Sequence, residues 1–369
     1  MNTIEATDNV GRRFGFVMEQ TLGHVTHYKN LRTTVDGVAN VDAAWYPLTF
    51  GPYSGLETLP GIRSNWSVRA SLRARSILRS TGALPQFDAL FFHTQVATLL
   101  SVNMMRRIPT VVSLDATPIN YDTVGTAYGH RTEDGLVEGL KRTLNKRSLH
   151  AAHALVTWSA WARQSLIDDY DINPASITVI APGVNLDLWS PPTHKEDADV
   201  IRLLFVGADF ERKGGVSLLH AFETLRDRCE LHIVTKAYLD LGPGIYVYHD
   251  VAPNSDLLRD LYAKADIFVL PTLADCYSIA SIEAMASGLP VITCPIGGIS
   301  EIVLHGETGL LVSPDNVSTL HAAIAALAND RTKRHGMGVR GRLHVEQHFD
   351  SATNAHRILN IMMTAADGS

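Results

Sequence analysis

The sequence predicts an α/β protein of two doubly wound, Rossmann-like halves facing each other across a cleft. Three observations carry that expectation. Short apolar, β-branched runs alternate with helical stretches along the chain, the pattern of parallel sheets covered on both faces. The alternation divides at a polar stretch, Ser190–Asp199, whose Pro pair and mixed charges have linker character. The length, 369 residues, suits two domains.

Taken in order, RFGFVM, DALFFH, TVVSL, ALVTW and ITVIAP read as the strands of a first half, residues 12–189. After the linker at 190–199, RLLFVG, ELHIVT, IYVYHD, DIFVLP and PVITC read as the strands of a second half, residues 200–339. Residues 340–369 form a C-terminal segment, helical in pattern from Arg340 to Met363. Neither an internal repeat nor a low-complexity tract interrupts the series.

Composition narrows the function classes. The chain is 46% hydrophobic and 19% charged, an ordinary globular balance, and a net charge of -6 gives no basic footprint for nucleic acid. Cys229, Cys276 and Cys294 are few, odd in number and without a CxxC, so neither a disulfide framework nor a zinc knuckle is indicated and a reducing cytoplasm fits best. The N-terminal stretch lacks the apolar core of a signal peptide, and no apolar run is long enough to span a bilayer.

Chemistry concentrates between Pro271 and Glu301. ADIFVLP is a central strand, Ser278–Ser287 a helix, and Gly288-Leu289-Pro290 a turn back into the strand Val291-Ile292-Thr293. Asp275 and Glu283, with seven residues between them, therefore both lie near the carboxyl edge, where open α/β sheets bind ligands. Gly297-Gly298 then offers backbone N–H groups to a phosphate. Upstream, Glu211-Arg212-Lys213-Gly214-Gly215 follows one strand and precedes a helix. Such a segment is either a solvated basic loop or a diphosphate cradle with fixed charge, backbone donors and steric room.

These motifs resemble those of the retaining GT-B glycosyltransferases of family four, the glycosyl transferases group 1. Asp275 and Glu283 resemble the carboxylate-x7-carboxylate pair; LLFVGADFERKGGVSLLHAFETL resembles the family's opening strand, basic loop and helix; ITVIAPGVNLDLWSP and EIVLHGETGLLVSPDN resemble its interdomain strand and the segment after the Gly-Gly turn. The likeness covers the larger part of the chain. It implies a sugar moved from a nucleotide-diphosphate donor, held by the C-terminal half, to an acceptor hydroxyl with retention of anomeric configuration, and a C-terminal segment that crosses back to the first half. It also implies that Asp275 contacts the donor sugar, that Glu283 takes the ribose hydroxyls, and that Lys213, Arg212 and the Gly297-Gly298 amides stabilise the diphosphate. The nucleotide base is expected near His249–Ala252.

Three positions depart from the family pattern: Asp275 where most members carry Glu, Ala208 where an Arg is usual, and Asp115 in place of a His near the sugar. They keep open a catalytically inactive sugar-nucleotide binder, or an isomerase or phosphorylase on the same fold.

The first half is expected to supply the other wall. Gly23 and His24 follow its first strand and face the donor together with Asp115. His27, His93, Asn120 and Tyr121 are candidates for the acceptor. His24 and His27, three apart, share a helix face but have no third partner, so no metal is expected there. Two Asp-x-Asp strings, at Asp169-Tyr170-Asp171 and Asp197-Ala198-Asp199, sit away from the site strands, and neither metal nor resident cofactor is expected. Arg63, Arg69, Arg73, Arg75 and Arg79 with Trp66 make Gly61–Ser80 locally basic, as a weak peripheral membrane contact, a surface helix or a site for an acidic acceptor, without a clean apolar face.

Overall fold

A computed structural model describes residues 11–21, 23–50, 65–80, 82, 86–124, 136–193 and 200–368. The first half places β1 (Arg12–Glu19), α1 (His24–Val35), β2 (Val41–Leu48), α2 (Trp66–Ser80), β3 (Ala89–His93), α3 (Val102–Met105), β4 (Thr110–Leu114), α4 (Pro118–Val124), α5 (Leu136–Leu149), β5 (Ala154–Thr157), α6 (Ala160–Asp168) and β6 (Ile177–Val179) in sequence. The second comprises β7 (Ile201–Val206), α7 (Gly215–Phe222), β8 (Cys229–Val234), β9 (Ile245–Tyr248), α8 (Asp256–Lys264), β10 (Ile267–Leu270), α9 (Ile279–Ala286), β11 (Val291–Thr293) and β12 (Gly309–Leu311). Three long helices close the chain: α10 (Val317–Asn329), α11 (Arg331–His348) and α12 (Ser351–Asp367).

Two six-stranded sheets result, ordered β2-β1-β3-β4-β5-β6 and β12-β11-β10-β7-β8-β9. Neighbouring strands run parallel throughout. The doubly wound architecture expected from the strand–helix alternation is therefore present in both halves. Central strands β3, β4 and β10 are buried along their whole length, which accounts for their continuous apolar reading.

Two strands escaped the sequence reading, and both are edges. β2 is partly exposed and contains Pro47, a residue that an edge tolerates because its missing N–H costs no ladder bond. β12 is only three residues long.

The chain crosses between halves twice, and the two crossings lie side by side. Val184 N–H donates to Phe349 O at 2.9 Å, and Ser351 N–H donates to Val184 O at 3.0 Å. Beyond that point α12 lays Ile358, Leu359 and Met362 onto Phe14, Phe16, Phe91 and Val111 of the first sheet. The crossing falls at Phe349–Ser351, within the segment 340–369, between the helices α11 and α12. Asp350 starts α12 by accepting from Ala352 N–H and Thr353 N–H. Six of the ten residues of the expected linker, residues 194–199, lie outside the described residues, as do Arg63 and Asp197-Ala198-Asp199 of the motifs above.

Candidate active site

The carboxyl ends of the two sheets face one cavity of about 280 Å³. Its C-terminal wall begins with the basic loop. Gly214 caps α7 at φ +80, with Pro271 O where a side chain would stand, so the loop reaches the end of β10 only because position 214 has no Cβ. That approach brings Lys213 Nζ onto Asp275 Oδ2 as an ion pair, both side chains largely buried. Arg212 Nη1 donates to Ala274 O at 2.8 Å and Nε to Asp209 Oδ2 at 3.1 Å, with the guanidinium 5% exposed. Arg212 thus braces the segment that presents Asp275 while lining the same cavity.

α9 begins behind Asp275. Ser278 Oγ accepts from Ser281 N–H, capping the helix, and Cys276, Tyr277, Ser278 and Ile279 line the cavity. A helix N-terminus directed at a cavity favours an anion. One turn further, Glu283 is 4% exposed and receives Tyr262 Oη–H at 3.2 Å. Burial raises its carboxyl to about 8, partly opposed by that hydrogen bond.

The Gly297-Gly298 turn packs against the backbone of Asp275 and Cys276. Gly298 N–H donates to Cys276 O at 2.9 Å, and neither glycine lines the cavity. The turn stands behind the Asp275–Cys276 backbone, so the amides facing the cavity are those at the start of α9.

The N-terminal wall consists of Gly23, His24, Thr26, Asp115 and Trp158. His24 Nδ1 lies 2.7 Å from His93 Nε2, and His24 Nε2 lies 3.6 Å from Asp115 Oδ2. His93 stacks on Trp158 at 4.9 Å, with His27 edge-on to both. Burial lowers His27 to about 3, with His24 adding to the effect, and lowers His93 well below the ordinary imidazole value. Burial raises the Asp115 carboxyl, which the neighbouring His24 partly offsets.

None of the four acceptor candidates lines the cavity. His27 and His93 are buried behind His24 and do not line the cavity. Asn120 is buried, its Oδ1 accepting from Thr117 N–H at 3.2 Å while Thr117 Oγ1 accepts from Asn120 N–H at 3.0 Å. It holds the start of α4. Tyr121 lies outside the cavity lining, and partial burial raises its phenol to about 12.

Trp158, Thr235, Lys236 and Leu258 were not singled out from the sequence, although all line the cavity, as does Asp250 from the His249–Ala252 stretch. Trp158 and Thr235–Lys236 directly follow β5 and β8, so the strand-end rule that found Asp115 would have found them. Among the described residues, no group of three or more His, Cys, Asp or Glu could hold a metal ion, and no helix is long and apolar enough to cross a membrane.

Two facing Rossmann-like sheets with the ligand cavity between their carboxyl ends define a GT-B protein. Residues 201–330 match the family model described as glycosyl transferases group 1, and residues 49–188 match that described as glycosyltransferase family 4. The chain belongs to this group 1 glycosyltransferase family. It is similar to a D-inositol 3-phosphate glycosyltransferase of Corynebacterium diphtheriae, 27% identical over 267 residues, covering 64% of this chain and 62% of that relative. The chain therefore matches less than two thirds of that relative's length. A protein of the same description from Kribbella flavida is 28% identical over 352 residues, covering 86% of this chain and 80% of the relative. Among solved structures, sucrose-phosphate synthase from Thermosynechococcus elongatus superposes with a TM-score of 0.80 at 16% identity, covering 97% of this chain and 100% of that one. At that identity the likeness speaks for the fold.

Proposed function

We propose that the protein transfers a sugar from a nucleoside-diphosphate donor to an acceptor hydroxyl, with retention at the anomeric carbon. The observation that carries this reading is the joining of Lys213, Asp275, the start of α9 and Glu283 on one wall of the cavity. Together they offer a cation and helix amides for a diphosphate, a carboxylate for the sugar, and a second carboxylate one turn deeper for the ribose.

In this scheme the bond from the anomeric carbon to the phosphate oxygen breaks, and its electron pair leaves with the diphosphate. The acceptor oxygen bonds to the same face of that carbon, and its proton passes to the departing phosphate oxygen. Lys213 and the α9 amides stabilise the charge that develops on the leaving group. The Lys213–Asp275 pair is then the resting arrangement, and the donor diphosphate competes with Asp275 for the lysine. Gly23, His24, Thr26 and Asp115 form the wall from which the acceptor approaches. The names of the sequence relatives support a phosphorylated polyol as one acceptor worth assaying.

Thermal unfolding with UDP, GDP and ADP and with their hexose conjugates tests the reading, because a ligand bound only by the folded state raises its melting temperature. Stabilisation by one nucleotide class, lost in Lys213→Ala and Glu283→Ala, is expected. A folded protein indifferent to all of them would remove the donor assignment. Product stereochemistry, read by NMR, decides retention.

A further inference from the structure

The Gly297-Gly298 turn leads, three residues on, to a contact that spans the two halves. Glu301 belongs to the second half, yet its carboxylate accepts from Ala160 N–H at 2.7 Å and from Trp161 N–H at 2.9 Å. These are the first two residues of α6, in the first half. α6 already has its own cap, Ser159 Oγ accepting from Ala162 N–H at 3.1 Å. The carboxylate from across the boundary therefore satisfies the two remaining donors of that turn, and places a negative charge where the helix dipole favours it.

The surroundings are built for this contact. A Cβ on Gly298 would stand 2.8 Å from Ser159 Cβ and 2.9 Å from the Tyr277 ring, so the two halves approach this closely because position 298 is glycine. Trp158, immediately before Ser159, meets Tyr277 edge-to-face at 5.9 Å. Trp158 and Tyr277 line opposite walls of the cavity. The glycine turn, the cross-boundary carboxylate and the aromatic pair thus form one continuous contact.

We infer that Glu301 is a positioning residue, a latch that holds α6 against the second half and so sets the separation of the two cavity walls. A charge-assisted bidentate bond on a helix N-terminus is strong enough to hold a register and, being a single side chain, can be released as a unit. A second side-chain bridge between the halves, Asn254 Nδ2–H to Asn30 Oδ1 at 3.0 Å, is neutral and single.

The test needs no substrate, so it stands apart from the transferase reading: failure of every nucleotide to bind would overturn that reading and leave the latch untouched. Hydrogen exchange and small-angle scattering are recorded on the full chain and on Glu301→Ala, Glu301→Gln and Ser159→Ala. In Glu301→Ala, amide exchange in the peptide covering Ala160 and Trp161 is expected to accelerate about ten-fold or more, and the radius of gyration to rise. Glu301→Gln, which keeps one acceptor oxygen and the side-chain volume, is expected to recover most of both effects. Ser159→Ala removes the local cap and loosens the same peptide without expanding the molecule. An unchanged radius of gyration in Glu301→Ala, or an expansion equal to it in Ser159→Ala, would reduce Glu301 to a cap of one helix and overturn the latch. If Glu301→Ala does not fold, Glu301→Leu, which keeps the bulk and removes both acceptor oxygens, replaces it, and wild-type exchange at Ala160 and Trp161 with an unchanged radius of gyration in that variant overturns the latch equally.

Discussion

The two walls of the cavity are built by opposite means. On the C-terminal side, Asp275, the α9 start and Glu283 come from nine consecutive residues, joined by Lys213 from one neighbouring loop. On the N-terminal side, His24 comes from the start of α1 and Asp115 and Trp158 from the ends of β4 and β5, and His24 is backed by imidazoles buried out of reach of the cavity. One wall is centred on a contiguous motif with two carboxylates. The other is an assembled aromatic and imidazole surface. The difference teaches that charge chemistry needed in one place can be written locally, whereas a shaped wall depends on the sheet to collect it.

The largest expected effect sharpens that contrast. Lys213→Ala and Asp275→Ala should each lower sugar transfer by roughly 10²–10³-fold, since stabilisation of the leaving diphosphate and placement of the sugar are lost. His24→Ala and Asp115→Asn should cost less, because Lys213 and the α9 amides remain. Turnover of the donor found by the nucleotide panel measures all four. Equal losses on the two walls would break the comparison.

The walls should also respond oppositely to pH. Glu283, raised by burial to about 8, holds a proton at neutral pH in the unliganded protein. Accepting two ribose hydroxyls requires its ionised form, so donor binding should expel a proton. Affinity should therefore climb as pH rises toward about 8 and level off above it. Calorimetry in buffers of differing ionisation enthalpy reads that proton, and Glu283→Gln should bind about ten-fold more weakly with the pH dependence gone. The same shift lowers folding stability as pH rises from 4.5 through about 8, because the unfolded chain releases a proton that the folded one keeps.

His27 behaves in the reverse sense. Its folded value of about 3 lies below the unfolded 6.5, so the unfolded chain takes up a proton that the folded one refuses. Stability should be fully present above 6.5 and fall as pH drops toward about 3. His27→Gln should flatten that acid limb in denaturant titrations while leaving the alkaline limb of Glu283 in place. An acid limb that persists unchanged would assign it to another buried group.

How much of this was legible follows the same division. The parallel strands, the two-sheet architecture and the Asp275–Glu283 spacing could be read directly, because buried strands are continuous apolar runs and the motif is contiguous. β2 and β12 were missed, since half-exposed edge strands carry little pattern. The basic loop marks Arg212 as a cation near the site, whereas its Nη1 bond to Ala274 O depends on a turn 62 positions away and could not be read. The role of Gly298 was hidden for the same reason: its close neighbour, Ser159, belongs to the other half.

The smallest effect concerns the basic stretch on α2, remote in kind from either wall. Trp66 stacks on Phe50 at 3.5 Å, with Arg69 5.7 Å from the Trp66 ring and Arg73 5.7 Å from the Phe50 ring. Ala70, Ser71, Ala74 and Leu78 turn inward, and Arg75 Nη1 donates to Leu100 O at 3.2 Å. The cations thus cover aromatic rings of the chain itself, a use of local basic charge different from attraction to a lipid surface. Each cation over such a half-buried ring contributes about 0.5–1 kcal/mol, so Arg69→Gln and Arg73→Gln should each lower stability by about that amount and leave transfer unchanged. Sedimentation with anionic vesicles should be equally weak for the wild type and both variants. Vesicle binding that the two substitutions abolish would show that the same arginines serve a membrane as well as the stack.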